Sequence, residues 1–124
     1  MRLLLDTHVL IWWAREEPVD EYARDAIADP SNQVIVSAAS IWEAEIKAAA
    51  GRLGLGRNLA REAEARGVQQ LAITSAHAVH AARLPQYHSD PFDRMLVAQA
   101  QLEGLTLVTR DPVFDGYAVA VLRA

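Results

Sequence analysis

Short apolar runs alternating with helix-length segments are the feature that most constrains this chain. Residues 2–5 (RLLL), 33–37 (QVIVS) and 105–109 (LTLVT) are strand-like runs too short for helices. VQQLAIT (68–74) is a third candidate in chain order, and YAVAVL (117–122) a fifth, at an edge. Helical spacing fills the gaps. THVLIWWAREE places Val9, Leu10, Trp12 and Trp13 on one stripe, and VDEYARDAIADP does the same with Val19, Tyr22, Ala23, Ala26 and Ile27. AASIWEAEIKAAAG reads as a helix stopped by Gly51, RNLAREAEARG as a short charged helix closed by Gly67, and SAHAVHAARLP as a helix ended by Pro85, with RLGLG a loop. DPFDRMLVAQAQLEG is the clearest helix, with Asp90 at the N-cap, Pro91 at N1 and Gly104 at C′. Strands joined through helices argue an α/β domain with a mostly parallel sheet of four to five strands.

A chain of 124 residues suggests a single domain over 1–124, long enough to bury a core without staples. The absence of cysteine excludes disulfides and thiolate metal sites. No apolar run reaches the roughly 18–20 residues that span a bilayer. The apolar start, MRLLLDTHVLIWW, is broken by Asp6 and His8 and lacks a cleavage pattern, so a soluble, cytoplasmic protein is expected. The net charge of −4 argues against nucleic-acid binding through a basic surface, unless cations offset some of the acids.

Acids stand where such a sheet would gather them. Asp6 follows the first strand, Glu43 lies early in the helix after the second, and Asp111 follows LTLVT. In an open parallel sheet the carboxyl ends share one edge, where ligands bind. Asp93 can join them from the start of the next helix. Four facing carboxylates repel one another, and hard Mg²⁺ or Mn²⁺ removes that cost; two ions would neutralise the set. Each acid also has a structural reading: Asp6 as a helix cap, Ser40 with Glu43 as a capping box, Asp90 with Asp93 as another, and Asp111 before Pro112 as a turn opener.

The segments LLLDTHVLIWW, VSAASIWEAEIK, HSDPFDRMLVAQA and LTLVTRDPVFDGY, in this order and across nearly the whole chain, resemble the PIN-domain family, in particular its VapC-type toxins. The resemblance implies an α/β/α three-layer sandwich. It also implies a Mg²⁺- or Mn²⁺-dependent endoribonuclease, with one or two ions, that hydrolyses RNA by metal-activated water. As the toxin of a type II toxin–antitoxin pair it would inhibit translation, be blocked by a small antitoxin and form a homodimer, with no membrane partner.

Carried over by motif, the family's acids fall on Asp6, Glu43, Asp93 and Asp111. Asp90, three residues before Asp93, could assist but is preferred as the N-cap. Asp115 rivals Asp111 for the fourth position. The hydroxyls of Thr7 and Thr109 suit metal-bound water or an acidic neighbour. Lys47, Arg52, Arg57 and Arg94 are candidates for gripping the substrate, and each also reads as an ordinary surface cation. Trp12, Trp13 and Trp42 read as core or dimer-interface residues before base-stacking ones. His77 and His80, without a third ligand, read as surface residues, and His8 as facing away from Asp6. Two alternatives stand beside the nuclease: a catalytically silent PIN-like interaction module, and another metal-dependent phosphohydrolase. LDTH offers one acid where a haloacid-dehalogenase-like phosphatase would show two.

Overall fold

The computed structural model describes residues 1–51 and 58–124. The expected RLGLG loop, with Arg52 and the following Arg57, lies outside the described residues. Along the chain run β1 (Arg2–Leu5), α1 (Thr7–Ala14), α2 (Glu21–Ala28), β2 (Gln33–Ser37), α3 (Ala38–Ala49), α4 (Leu59–Ala65), β3 (Gln69–Leu71), α5 (Ser75–Ala82), α6 (Pro91–Glu103), β4 (Thr106–Thr109) and β5 (Val121–Arg123). A 3₁₀ turn (Pro112–Gly116) separates the last two strands.

The sheet has the order β3-β2-β1-β4-β5, and every pairing is parallel. From β1 the chain steps outward through β2 to β3, then returns to place β4 on the other side of β1. In parallel sheets such a reversal, with crossovers departing to opposite faces, is where ligands bind at the carboxyl ends of the strands, here those of β1 and β4.

Successive side chains of a strand point to opposite faces, and the core divides accordingly. Leu3, Leu5, Val36 and Val108 join residues of α1, α2, α3 and α4 on one face. Leu4, Ile35 and Leu107 join α5, α6, Phe114 and Tyr117 on the other. A sheet apolar on both sides, covered by helices on each, is the three-layer α/β/α arrangement expected of the chain, here with all five strands parallel.

Helix ends follow local chemistry. The Asp90 carboxylate accepts from the backbone N–H of Phe92 and Asp93, Pro91 occupies the first turn, and Gly104 ends α6 at φ 67°, ψ 46°. That left-handed conformation penalises any Cβ, which is why glycine closes the helix. In α1, by contrast, the buried stripe is Val9, Leu10, Ile11 and Ala14, while Trp12 and Trp13 are half-buried. An almost wholly apolar helix has no periodicity with which to choose its face, so packing chose it. Tyr22, expected on the inner stripe of α2, is exposed. Among the described residues no helix is long and apolar enough to cross a membrane.

Leu4 has no exposed surface, whereas Tyr22 is 65% exposed. Leu4→Ala should lower unfolding free energy by about 2–5 kcal/mol through lost transfer energy and a residual cavity. Tyr22→Ala should stay within about 0.5 kcal/mol. Urea denaturation followed by circular dichroism reads both, and equal effects would contradict this assignment of the core.

Candidate metal centre

Asp6 stands where β1 delivers it, beside the end of β4. Its backbone N–H donates to the Val108 carbonyl at 3.0 Å, which continues the β1–β4 pairing one residue past the strand. Its carboxylate caps α1, with Oδ1 accepting from the Val9 N–H at 2.8 Å. Oδ2 accepts from the Thr109 hydroxyl at 2.5 Å. The same Thr109 oxygen accepts the N–H of Asp111 at 3.0 Å, so one hydroxyl ties both acids to the end of β4. Asp111 Oδ1 in turn accepts from the Val113 N–H and caps the 3₁₀ turn.

Glu43 comes from the other side. The Thr7 hydroxyl donates to Glu43 Oε1 at 2.5 Å, linking the residue after Asp6 to α3. Lys47, one turn further along α3, places Nζ 3.2 Å from Oε2. The α3 and α6 helices touch through an edge-to-face contact of Trp42 and Phe92, with ring centroids 5.2 Å apart. The next residue on each helix is an acid, Glu43 and Asp93. Asp93 Oδ2 lies 2.8 Å from His88 Nε2, and among the described residues Oδ1 accepts no hydrogen bond.

The electrostatics couple these acids in two sets, Asp6 with Asp111 and Asp93 with Asp90 and Glu43; among the described residues, the ligand atoms of His88, Asp90 and Asp93 lie within 4.8 Å of one another. Burial pushes the Asp6 carboxyl up, and the nearby Asp111 charge adds to the rise; the Thr109 and Val9 hydrogen bonds and His8 work against it. Asp93 is pushed up to about 6, first by burial and then by the Asp90 and Glu43 charges, against the pull of His88. Thus Asp6 is coupled to Asp111 and hydrogen-bonded through Thr109, while Glu43 is coupled to Asp93 and bonded to Thr7.

The donor set suits a hard divalent cation. It consists of carboxylate and hydroxyl oxygens, with no sulfur. The hydroxyl of Ser40, one helical turn before Glu43, is buried and has no hydrogen-bond partner among the described residues. The carboxylates retain accepting capacity beyond the bonds described, and two of them carry the raised proton affinity that a cation would remove.

Asp90 is the N-cap of α6, as preferred, and its carboxylate also lies within 4.8 Å of ligand atoms of Asp93 and His88, a group that could hold a cation. Other expected candidates find different places. Asp115, the rival of Asp111, has both oxygens 2.5 Å from Arg123 Nη2 on β5. Arg94 is corrected. Rather than gripping substrate it is buried, donating to the carbonyls of Ala81, Ala82, Leu84, Pro85 and His88, and so closing the end of α5 and the following loop. The Ser40–Glu43 capping box is also corrected: Ser37 caps α3, which begins three residues earlier. His77 is buried, bonded to Thr74 and Glu103 and so tying α5 to α6, while His80 bonds Gln101 on α6. His8 is exposed yet near enough to lower the pKa of Asp6. Trp12 and Trp13 lie under Arg110 and Arg66, whereas Trp42 is exposed. A concavity of about 1080 Å³ between Trp13, Val19, Ile27, Val34 and Val68 lies elsewhere; none of the four acids lines it.

Sequence reasoning missed His88. The helical spacing that pairs Asp90 with Asp93 cannot place it, because it precedes the helix in an irregular loop. Its sequence signal is its place at the head of HSDPFDRMLVAQA, five residues before Asp93.

Comparison with known proteins follows this geometry. The family profile described as PIN domain matches residues 3–120. Ribonuclease VapC22 of Mycobacterium tuberculosis (strain ATCC 25618 / H37Rv) is 31% identical over 112 residues, 88% of this chain and 86% of that protein. Among solved structures, DNA-bound VapBC from Salmonella typhimurium gives a TM-score of 0.72 at 23% identity, covering 99% of this chain and 98% of the other. VapBC2 from Rickettsia felis, bound to a DNA fragment from its promoter, gives 0.70 at 13% identity over 99% and 98%. At these identities the structural likeness is one of fold.

The raised Asp93 pKa has a defined consequence. The folded state binds this proton more tightly than the unfolded state, so its contribution to stability is complete below about pH 4 and is lost as pH rises through about 6. In EDTA, Asp93→Asn should raise unfolding free energy at pH 7.5 by about 1–3 kcal/mol relative to the wild type, and by much less at pH 4. Urea titrations at the two pH values measure this. An equal effect at both would contradict the electrostatic origin of the shift.

Proposed function

This chain belongs to the PIN-domain family, and on that premise we propose that it is a Mg²⁺- or Mn²⁺-dependent endoribonuclease. It acts as the toxin of a type II toxin–antitoxin pair, cutting RNA in the cytoplasm and thereby inhibiting translation. Residues 1–124 form one domain, which pairs as a homodimer and is silenced by a small antitoxin. The curated relative described as a ribonuclease supports the activity, and the toxin–antitoxin complexes of similar fold support the partner. The exposed Trp42 and Ile46 on α3 offer an apolar face that pairing would cover.

The observation that supports the reading is the chain of contacts among the acids: Thr109 is hydrogen-bonded to both Asp6 and Asp111, Thr7 bonds Glu43, and the Glu43 charge acts on Asp93. Asp6 would be the central ligand, with Glu43 and Asp93 completing the shell of one cation, and Asp111 would serve a second ion or the attacking water. A divalent cation bound there supplies an acidified water and offsets charge on the phosphodiester. The chain's own residues do the rest. Thr109 and Thr7 hold the Asp6 and Glu43 carboxylates in register, and the apolar core behind Asp6 keeps bulk water from its inner side. Asp111, exposed at the rim, is free to orient the water for in-line attack. Lys47, whose Nζ lies 3.2 Å from Glu43, would be placed to meet a phosphate bound at the acids. Attack by water needs no 2′-hydroxyl and leaves a 5′-phosphate and a 3′-hydroxyl. A catalytically silent module has no evident need to hold four acids together against their repulsion, which argues for the enzyme.

A labelled RNA incubated with the protein tests this. Cleavage is expected with Mg²⁺ or Mn²⁺ and should fall to background with EDTA or in Asp6→Asn; equal cleavage in all three would reject the ion-dependent mechanism. Of the two rivals for the fourth acid, Asp111→Asn should slow cleavage strongly. Asp115→Asn should leave the rate near wild type, because it breaks only an exposed pair with Arg123.

A further inference from the structure

We propose that His88 is a positioning residue for Asp93: its Nε2–H holds one carboxylate oxygen and leaves the other for the cation. The inference rests on the ion-dependent reading above and adds to it a residue to which the resemblance assigns no role.

Three observations carry it. The first is the contact, 2.8 Å from His88 Nε2 to Asp93 Oδ2, with Oδ1 unengaged among the described residues. An imidazole N–H facing a carboxylate oxygen donates to it. The second is the rigidity of the mount. Arg94 donates to the His88 carbonyl at 3.2 Å and to the Pro85 carbonyl at 3.0 Å, and its other amino group holds the carbonyls of Ala81 and Leu84 at the end of α5. The Tyr117 hydroxyl donates to the same Pro85 carbonyl, and the Tyr87 ring packs edge-on against Tyr117. A loop pinned from α6 and from the 3₁₀ turn presents the imidazole at a fixed point.

The third observation is the need for such a hold. The Asp90 and Glu43 charges both repel Asp93, and its own backbone N–H is committed to the Asp90 cap, so His88 supplies the side-chain hydrogen bond that its carboxylate accepts among the described residues. Groups that hydrogen-bond metal-ligating side chains set ligand orientation, and their loss typically weakens metal affinity about 10–100-fold.

The test uses the full chain without RNA, reading Mn²⁺ affinity from the electron paramagnetic resonance signal of the free ion. Three substitutions separate the roles. His88→Leu removes the donor. His88→Asn keeps polarity but is too short to reach Asp93, and His88→Gln places an amide N–H at about the reach of Nε2. Thermal melts in EDTA check that each variant is folded, and Asp6→Asn serves as the control for loss of the ion site.

The Leu and Asn variants should bind Mn²⁺ about 10–100-fold more weakly, and Gln should restore affinity to within about threefold of wild type. If Leu and Asn lower the melting temperature but leave affinity unchanged, while Asp6→Asn abolishes binding, His88 is only a loop tether; the proposal falls and the ion site stands. If Gln weakens binding as much as Leu, the imidazole is itself a ligand, and the positioning role is overturned. If the wild type binds no Mn²⁺, the ion-dependent reading fails and this inference fails with it.

Discussion

Mutual repulsion among partly buried carboxylates is the constraint around which the rest of this structure is arranged. Asp6 retains only 4% of its surface, and the Glu43 side chain is nearly as enclosed. Water cannot screen charges held in this way, so each acid needs a compensating hydrogen bond or an opposite charge. The fold supplies them one by one: Thr109 and Val9 to Asp6, Thr7 and Lys47 to Glu43, His88 to Asp93, and backbone N–H groups to Asp90 and Asp111. These partners lower the cost without removing it, as the raised proton affinities of Asp6 and Asp93 show.

The parallel sheet makes the convergence possible. With every strand running the same way, the residues after β1, β2 and β4 leave at one edge, and the strand order reverses between β1 and β4. Two apolar layers, one on each face, fix the strands against sliding, since a one-residue slip would turn Leu4 and its neighbours to the wrong side. The packed core therefore sets the positions of side chains that contribute nothing to its hydrophobicity. Arg94 belongs to the same logic. It lies next to a proposed ligand in the chain, but its guanidinium is spent on five carbonyls that would otherwise be poorly satisfied where α5 ends.

How much was legible before the coordinates depended on whether a local rule applied. Helix α6 was readable at both ends because Asp90, Pro91 and Gly104 each act through backbone geometry within one turn. Strand β2 was readable because QVIVS has no competing period. The face of α1 was not, since THVLIWWA is apolar around most of its circumference and only contact with the sheet buries Ile11 and Ala14 in preference to the larger tryptophans. The start of α3 at Ala38 was legible, but its cap was not: Ser40 with Glu43 also fits a capping pattern, and the end of β2 makes Ser37 the cap instead. Asp111 and Asp115 could not be told apart from spacing; the structure gives them different partners, Thr109 for the first and Arg123 for the second.

By itself, the sequence determined the strand–helix alternation, the caps and the four acids at strand and helix ends, because these follow from interactions spanning a few residues. Only the tertiary structure decided which hydroxyl meets which carboxylate, that His88 reaches Asp93, and that Arg94 turns inward. Thr109 and Asp6 are 103 residues apart and Thr7 and Glu43 are 36 apart, while His88 lies in an irregular loop. No helical or strand period relates such positions. Their contacts exist because burial of the two apolar layers fixes the backbone, and hydrogen bonds then select among the orientations that remain.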